Sequence, residues 1–387
     1  MIRTIDDLLA PHPWQMLRQA ALDHRRLHLK TDRAADFAAL LPWPILDELV
    51  TLDAVMDGRL RASRRGLELP LNMMMEIGRG ARRAGWTLSR QKLQALRHQG
   101  VSLVYNGVHD AVPGIGALNA MLERRLRCRV GTNAYVSFRR DSAFDIHWDD
   151  HNVLILQLHG RKRWFCYGQP YRFPVKLPGF RTPEVGEPEW EGVLAPGDVL
   201  YVPRGDLHRA AVEGEESVHL TVGIVPPRGA DVMAWLAARA SAEEVVRRDL
   251  HPFDAAAALA ERAEALKAAL RQAVDSLDIE AFLADQDQAR GAPMPVLNLG
   301  QDLDIADAAV LRPALRRRPD LAGDPVNLGG AAMKLGPLER RILQLLLDQD
   351  ALTFAELVAA LDPPHAEGAR EAVARLSAQS LVIISAG

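Results

Sequence analysis

The chain has 387 residues, 48% hydrophobic and 25% charged, with a formal net charge of −3; this is the balance of a globular protein of two or three domains, and it excludes a bulk electrostatic pull toward nucleic acid or a membrane surface. Two cysteines, Cys128 and Cys166, exclude a disulfide framework and a cysteine-rich zinc site and fit a reducing compartment. No apolar run approaches the roughly 20 residues of a membrane span, and the opening MIRTIDDLLAPHPW carries Asp6 and Asp7 in place of an apolar stretch, so no signal peptide is expected and the protein reads as cytoplasmic.

In chain order, residues 1 to about 125 mix short helical patterns with a few strands. DFAALLPWPILDELV has helical spacing broken by Pro42 and Pro44, GVSLVYNGVH reads as a buried strand, and GALNAMLERRLRCRV as an amphipathic helix running into a strand. From about 130 to 226 short β-type runs alternate with turn residues: NAYVSF, NVLILQL, KRWFCYG, DVLYVP and SVHLTVGIV, with turns expected at Gly160, Pro196-Gly197 and Gly214. That texture predicts an all-β sandwich or barrel. After 230 alanine-rich helices follow, then a linker around Pro293 and Pro295. The last block has a helix after Leu335-Gly336-Pro337 with Ile342, Leu343, Leu346 and Leu347 inward, a second with Thr353 and Glu356 in a capping-box pattern, a third opened by Pro363-Pro364, and the strand LVIIS. Three short helices and a strand make a winged-helix-like outline.

The chemistry concentrates in HWDDHNVLILQLHGRKRW, His147 to Trp164. In an extended segment, residues two apart share a face, so His147 and Asp149 supply two legs of a 2-His-1-carboxylate set, and His208 in APGDVLYVPRGDLH is placed to supply the third. Rival readings stand beside this one: Asp149 and His151 have the same spacing, His159 before Gly160 reads as solvent-facing, and His219 as a core or pocket histidine. In RKRWFCY, Lys162, Trp164 and Cys166 share one face, and a face carrying Trp and Cys is the inner one. A lysine there needs an anion.

The segments VGTNAYVSF, HWD, NVLILQLHGRKRW and PGDVLYVPRGDLH together resemble the JmjC/cupin-type 2-oxoglutarate oxygenases, most of all the ribosomal oxygenases, which hydroxylate ribosomal proteins. The resemblance is clear over about 100 to 226 and looser over the whole chain. It implies an α+β protein with a double-stranded β-helix core: a JmjC/cupin domain with N-terminal α/β elements over 1–229, a helical dimerisation region and linker over 230–300, and a winged-helix-like domain over 301–387. It implies His147, Asp149 and His208 as Fe(II) ligands, Lys162 and Tyr135 on the distal carboxylate of 2-oxoglutarate, and Asn133 and Thr221 at neighbouring pocket positions. The chain departs from the family at Arg139, Arg140, Asp141 and Asp145, where a Gly/Pro-rich loop is usual, at Trp148, where Tyr or Phe is usual, and at Asp150; these lie at the pocket rim.

The activity implied is O2-dependent hydroxylation of a protein or peptide side chain, with a ribosomal protein as the expected substrate and a homodimer as the expected assembly. No membrane partner is expected. Nucleic acid is not expected either, because EGAREAVARLSAQ carries only Arg370 and Arg375 as cations. The alternatives are the same chemistry on a peptide natural product or free amino acid, demethylation of methyl-lysine, and a non-enzymatic cupin regulator whose winged-helix domain binds DNA or a partner.

Overall fold

A computed structural model of the chain describes residues 2–64, 66–78, 85–138, 145–175, 183–291 and 305–385. Nine strands form the main sheet: β1 (Leu27–Lys30), β2 (Leu60–Arg64), β3 (Leu67–Glu68), β4 (Ser102–Tyr105), β5 (Arg129–Phe138), β6 (Asn152–Cys166), β7 (Trp190–Leu194), β8 (Asp198–Val202) and β9 (His208–Val225). Their order is β1-β8-β6-β9-β5-β4-β2-β3, with β7 pairing with β6 off this path, and every pair is antiparallel.

The long strands β6 and β9 each serve two parts of this sheet. The first half of β6 pairs with β8 and its second half with β7, while β9 runs antiparallel to β6 along both halves and also pairs with β5. The register breaks twice along β6–β9. Val218 opposes His159 but His219 opposes Gln157, so Leu158 is an extra residue; between Val212 and Ser217 the other strand bulges. An extra residue exchanges the faces of a strand with period two. Val153 and Ile155 therefore point to the same side as Lys162 and Trp164, although their parities differ.

Two sequence expectations are corrected here. Gly160 and Gly214 do not reverse the chain; both lie inside continuous strands. Gly160 has φ +62°, and a Cβ there would lie 2.0 Å from the Glu216 carbonyl oxygen, so glycine is required by a bulge. His159 is not solvent-facing: it is half-buried, and its Nε2–H donates to the Leu41 carbonyl at 3.1 Å. The Gln157 side chain is fully buried and holds the distortion, donating to Ser217 Oγ at 2.8 Å and to the His159 carbonyl at 2.8 Å.

The apolar run NVLILQL lacks alternation because both faces of β6 are covered. Leu154, Leu156 and Leu158 join the main core with Leu8, Phe37, Met74, Ile115 and Leu122 from the N-terminal elements. Val153 and Ile155 pack with Trp164, Leu194, Leu200 and Val202 on the opposite side. The helix Pro113–Leu126 begins on Pro at its first turn, where a missing N–H costs nothing, and its C-cap Arg127 at φ +49° turns the chain into β5. The pattern DFAALLPWPILDELV, broken at its prolines as expected, forms the separate helices Ala34–Leu40 and Trp43–Leu49.

By contacts the described chain divides into two units. One comprises 2–225, 305–314 and 336–385; the other comprises 226–291 and 315–335. In the first, the C-terminal helices Pro337–Gln349, Phe354–Ala360 and Ala369–Ala378 accompany a three-stranded sheet of Val310–Pro313, Leu352–Thr353 and Val382–Ser385. Thr353 caps its helix with Glu356 in the reciprocal pattern. The third helix is interrupted, with a single turn at Pro363–Ala366 before Ala369. The second unit holds the helices Gly229–Ala240, Ala256–Asp275 and Ile279–Ala289, and Trp235 ties the first to the third, donating to Asp285 at 2.8 Å and meeting Phe282 edge-on. The expected linker around Pro293 and Pro295 lies outside the described residues.

Candidate functional site

His147, Asp149 and His208 meet at one end of the β6–β9 pair. Their ligand atoms all lie within 4.8 Å of one another. Residues 145–150 do not form a strand; His147 makes an isolated antiparallel bridge with His208, with N–H···O distances of 3.1 and 2.8 Å in the two directions. That bridge brings the rings to 4.5 Å between centroids and leaves His208 Nε2 3.6 Å from Asp149 Oδ2. Each imidazole is oriented by a backbone carbonyl: His147 Nδ1–H donates to Asp145 O and His208 Nδ1–H to Asp206 O, both at 2.8 Å. A carbonyl can only accept, so both Nε2 atoms keep their lone pairs, which is the tautomer a metal requires. Burial, then the adjacent His147 ring, push His208 down to about 4, so it is neutral at physiological pH.

The loop before His208 is fastened from several sides. Gly205 N–H donates to the Asp149 carbonyl at 3.0 Å and Arg204 N–H to Asn152 Oδ1 at 3.0 Å. Asp206, buried and pushed up to about 6 by that burial against the opposing charge of Arg26, has its Oδ2 2.9 Å from Arg26 Nε. These contacts hold the third ligand on structure supplied from distant parts of the chain.

A cavity of about 250 Å³ opens beside the three ligands, lined by Asn133, Tyr135, Lys162, Trp164, His219 and Thr221 among others. Lys162 is 2% exposed; its Nζ donates to Ser137 Oγ at 3.0 Å and lies 3.5 Å from His219 Nδ1. Burial alone pulls this ammonium down to about 7. Tyr135 stacks on His219 with centroids 4.9 Å apart; burial and then the Asp149 carboxylate push its phenol up to about 12. Asn133 Oδ1 accepts from Gly107 N–H at 3.0 Å, and Thr221 faces it across the β5–β9 ladder.

All seven sequence-nominated residues therefore line one cavity. His151 lines it too, outside the three-residue cluster, with its Nδ1 3.1 Å from Asp150 Oδ1. Sequence reasoning left His219 open and missed Ser137. Both follow from strand parity: Ser137 shares a face with Asn133 and Tyr135, and His219 with Thr221. The departures at Arg139, Arg140 and Asp141 lie outside the described residues.

Two nitrogens and one carboxylate oxygen on one side, with a cavity on the other, is the donor set suited to ferrous iron. A cation beside it, held in a dry pocket, suits an anion that also reaches the metal. Fold and site thus define a class, and residues 115–232 match the sequence model of the JmjC domain. Among individual proteins, the chain is 34% identical over 131 residues to the bifunctional lysine-specific demethylase and histidyl-hydroxylase NO66 of Aedes aegypti, covering 33% of this chain and 21% of that protein. It is 29% identical over 237 residues to ribosomal oxygenase 1 of Bos taurus, covering 57% of this chain and 32% of that protein. The chain therefore spans about a third or less of the length of these two relatives. The Escherichia coli ribosomal oxygenase YcfD, solved in complex with cobalt and succinic acid, superposes with a TM-score of 0.54 at 19% identity, covering 97% of this chain and 99% of that one. The same protein with cobalt and 2-oxoglutarate gives a TM-score of 0.52 at 18% identity. At these identities the likeness is one of fold.

Proposed function

We propose that the protein is an Fe(II)- and 2-oxoglutarate-dependent hydroxylase of a protein or peptide side chain, with a ribosomal protein as substrate. The observation that carries this reading is the pairing of His147, Asp149 and His208 with a buried lysine in the same cavity. In this reading His147, Asp149 and His208 hold the iron, Lys162 and Tyr135 take the far carboxylate of 2-oxoglutarate, and Asn133 and Thr221 line its path. Iron, when bound, supplies the activation of O2 that couples 2-oxoglutarate breakdown to hydroxylation of a C–H bond. The chain's own groups set three ligands, exclude water with Val153, Ile155 and Trp164, and offer an ammonium that would otherwise be buried at a cost.

The reading extends to the domain plan: a JmjC/cupin domain over 1–229, a helical dimerisation region and linker over 230–300, and a winged-helix-like domain over 301–387. Support for a homodimer comes from the helical unit, where Met233 is 72% and Phe253 85% exposed and the helix Ala256–Asp275 has no buried residue; an apolar surface of this kind is typical of one that a partner covers. A cytoplasmic location agrees with two buried cysteines that form no disulfide and with the absence of any helix among the described residues long and apolar enough to cross a membrane.

The test has two arms. Purified protein with Fe(II), ascorbate and 2-oxoglutarate should release succinate, and Asp149→Ala should abolish it. Intact masses of ribosomal proteins from cells with and without the chain should differ by one oxygen atom on one protein. Loss of a methyl group in place of that gain would favour demethylation, the other activity in the NO66 name. No succinate from protein with iron bound would overturn the reading.

A further inference from the structure

We propose that His219 is a binding residue for the far carboxylate of the cosubstrate: held by Lys162 in the tautomer that carries its proton on Nε2, it supplies the anion site with a neutral second donor. The proposal rests on the reading that this cavity takes 2-oxoglutarate, and it adds a residue to which the family resemblance assigns no role.

His219 is 2% exposed and lines the cavity. Tyr135 lies parallel to its ring at an interplanar angle of 11°, and Trp164 stands at 82° to it. Lys162 Nζ, 3.5 Å from Nδ1, is the ring's one hydrogen-bond partner among the described residues. An ammonium has no lone pair, so Nδ1 must accept and the ring proton sits on Nε2. With one ring face covered and Nδ1 engaged, the Nε2 edge is left for the cavity. A buried imidazole N–H without an acceptor is costly, and a carboxylate would supply that acceptor.

The ammonium count agrees. Of the three protons on Lys162, one goes to Ser137 Oγ at 3.0 Å and one to His219, leaving one for a ligand. Ser137 itself accepts from Ser102 Oγ at 2.9 Å, which fixes the other side of the lysine. Burial and then the adjacent lysine hold His219 well below its ordinary pKa. The corner therefore carries one positive charge and several donors. That matches a single carboxylate, whereas a second buried cation would have to be neutralised separately.

The test compares two ring replacements on Mn(II)-loaded full-length protein, titrated calorimetrically with 2-oxoglutarate and with pyruvate, a 2-oxo acid that lacks the far carboxylate. His219→Phe keeps the aromatic packing and removes the N–H; His219→Gln restores an N–H donor. His219→Phe should weaken 2-oxoglutarate by about tenfold or more, the worth of a hydrogen bond to a charged group. Pyruvate and Mn(II) affinity should not change, and His219→Gln should recover most of the loss. Unchanged 2-oxoglutarate affinity in His219→Phe overturns the proposal, as does an equal loss for both acids, which marks a packing role. If the unmodified protein does not prefer 2-oxoglutarate over pyruvate, the anion-site reading itself falls, and the proposal with it.

Discussion

Lys162 bears a clear electrostatic penalty, and that penalty makes the pocket's occupancy measurable. Burial lowers this amine from 10.5 to about 7. The folded, empty protein thus holds fewer protons than the unfolded chain between those two values. By linkage its stability rises with pH across that window, and the full cost of burying the ammonium falls below pH 7. A carboxylate arriving beside Nζ favours the charged form and raises the pKa again. At pH near 8, 2-oxoglutarate binding should take up close to one proton, read as a dependence of binding enthalpy on the buffer's ionisation heat. At pH near 6 the uptake should vanish, and affinity should fall as pH climbs above 7. Lys162→Met should abolish the uptake and weaken 2-oxoglutarate by about tenfold to a hundredfold, the range for losing a charge-assisted contact in a dry site. An uptake that persists in Lys162→Met would assign the proton to another group.

The element that makes this lysine an inner residue is the bulge on β6. Without the extra residue at Leu158, Lys162 and Trp164 would face the opposite side from Val153 and Ile155. Gln157→Leu removes the amide that bonds Ser217 Oγ and the His159 carbonyl. It should cost roughly 1–3 kcal/mol, since it leaves buried polar groups without partners, and thermal unfolding would show it. Gly160→Ala should cost more, because φ is +62° and the new Cβ meets backbone, not a side chain that can move aside. If Gly160→Ala unfolds at the same temperature as the unmodified protein, the bulge is not rigid.

Gly160 and Gly214 show how far the sequence was legible at this scale. The apolar run, the flanking turn at Pro196-Gly197 and the inner face of RKRWFCY could all be read from residue types, because burial on a strand follows parity. Gly160 and Gly214 were misread as chain reversals. A glycine reports that the backbone needs special freedom, but a bulge and a turn require it alike, and only the partner strand decides between them. The pocket was legible where spacing within one strand suffices, as at Lys162, whereas Tyr135 rested on the family resemblance. It stayed open where the partner depends on register between strands, as for the contact of His219 with Lys162. The bridge between His147 and His208 depends likewise on the fold.

At the scale of the first compact unit, the C-terminal block is tied to the main-sheet core by a charge cluster out of water. Asp350, after the helix Pro337–Gln349, accepts from Arg124 at 3.3 Å and from Arg125 at 3.1 Å, both on or next to the last turn of the helix that feeds β5. The Arg124 and Asp350 side chains are 3% and 2% exposed. Charges this deep gain little net stability as a pair, but removing one leaves the other stranded, at about 3–5 kcal/mol. Asp350 also sits at φ +62° and ψ −36°, outside the left-handed helical well, a conformation that glycine alone adopts freely. Three substitutions separate the two costs. Asp350→Gly relieves the backbone and removes the carboxylate, Asp350→Asn keeps the shape and loses the charge, and Asp350→Ala combines lost charge with strain. Ordered by unfolding midpoint in urea, alanine should be lowest, with asparagine above glycine because its amide oxygen still accepts from an arginine. Arg124→Met combined with Asp350→Asn should be more stable than Asp350→Asn alone, since it also removes the buried positive charge that the lost carboxylate had balanced. If Arg124→Met brings no such recovery, carbonyls such as that of Pro313 suffice to hold the guanidinium, and the tie between block and core is one of shape alone.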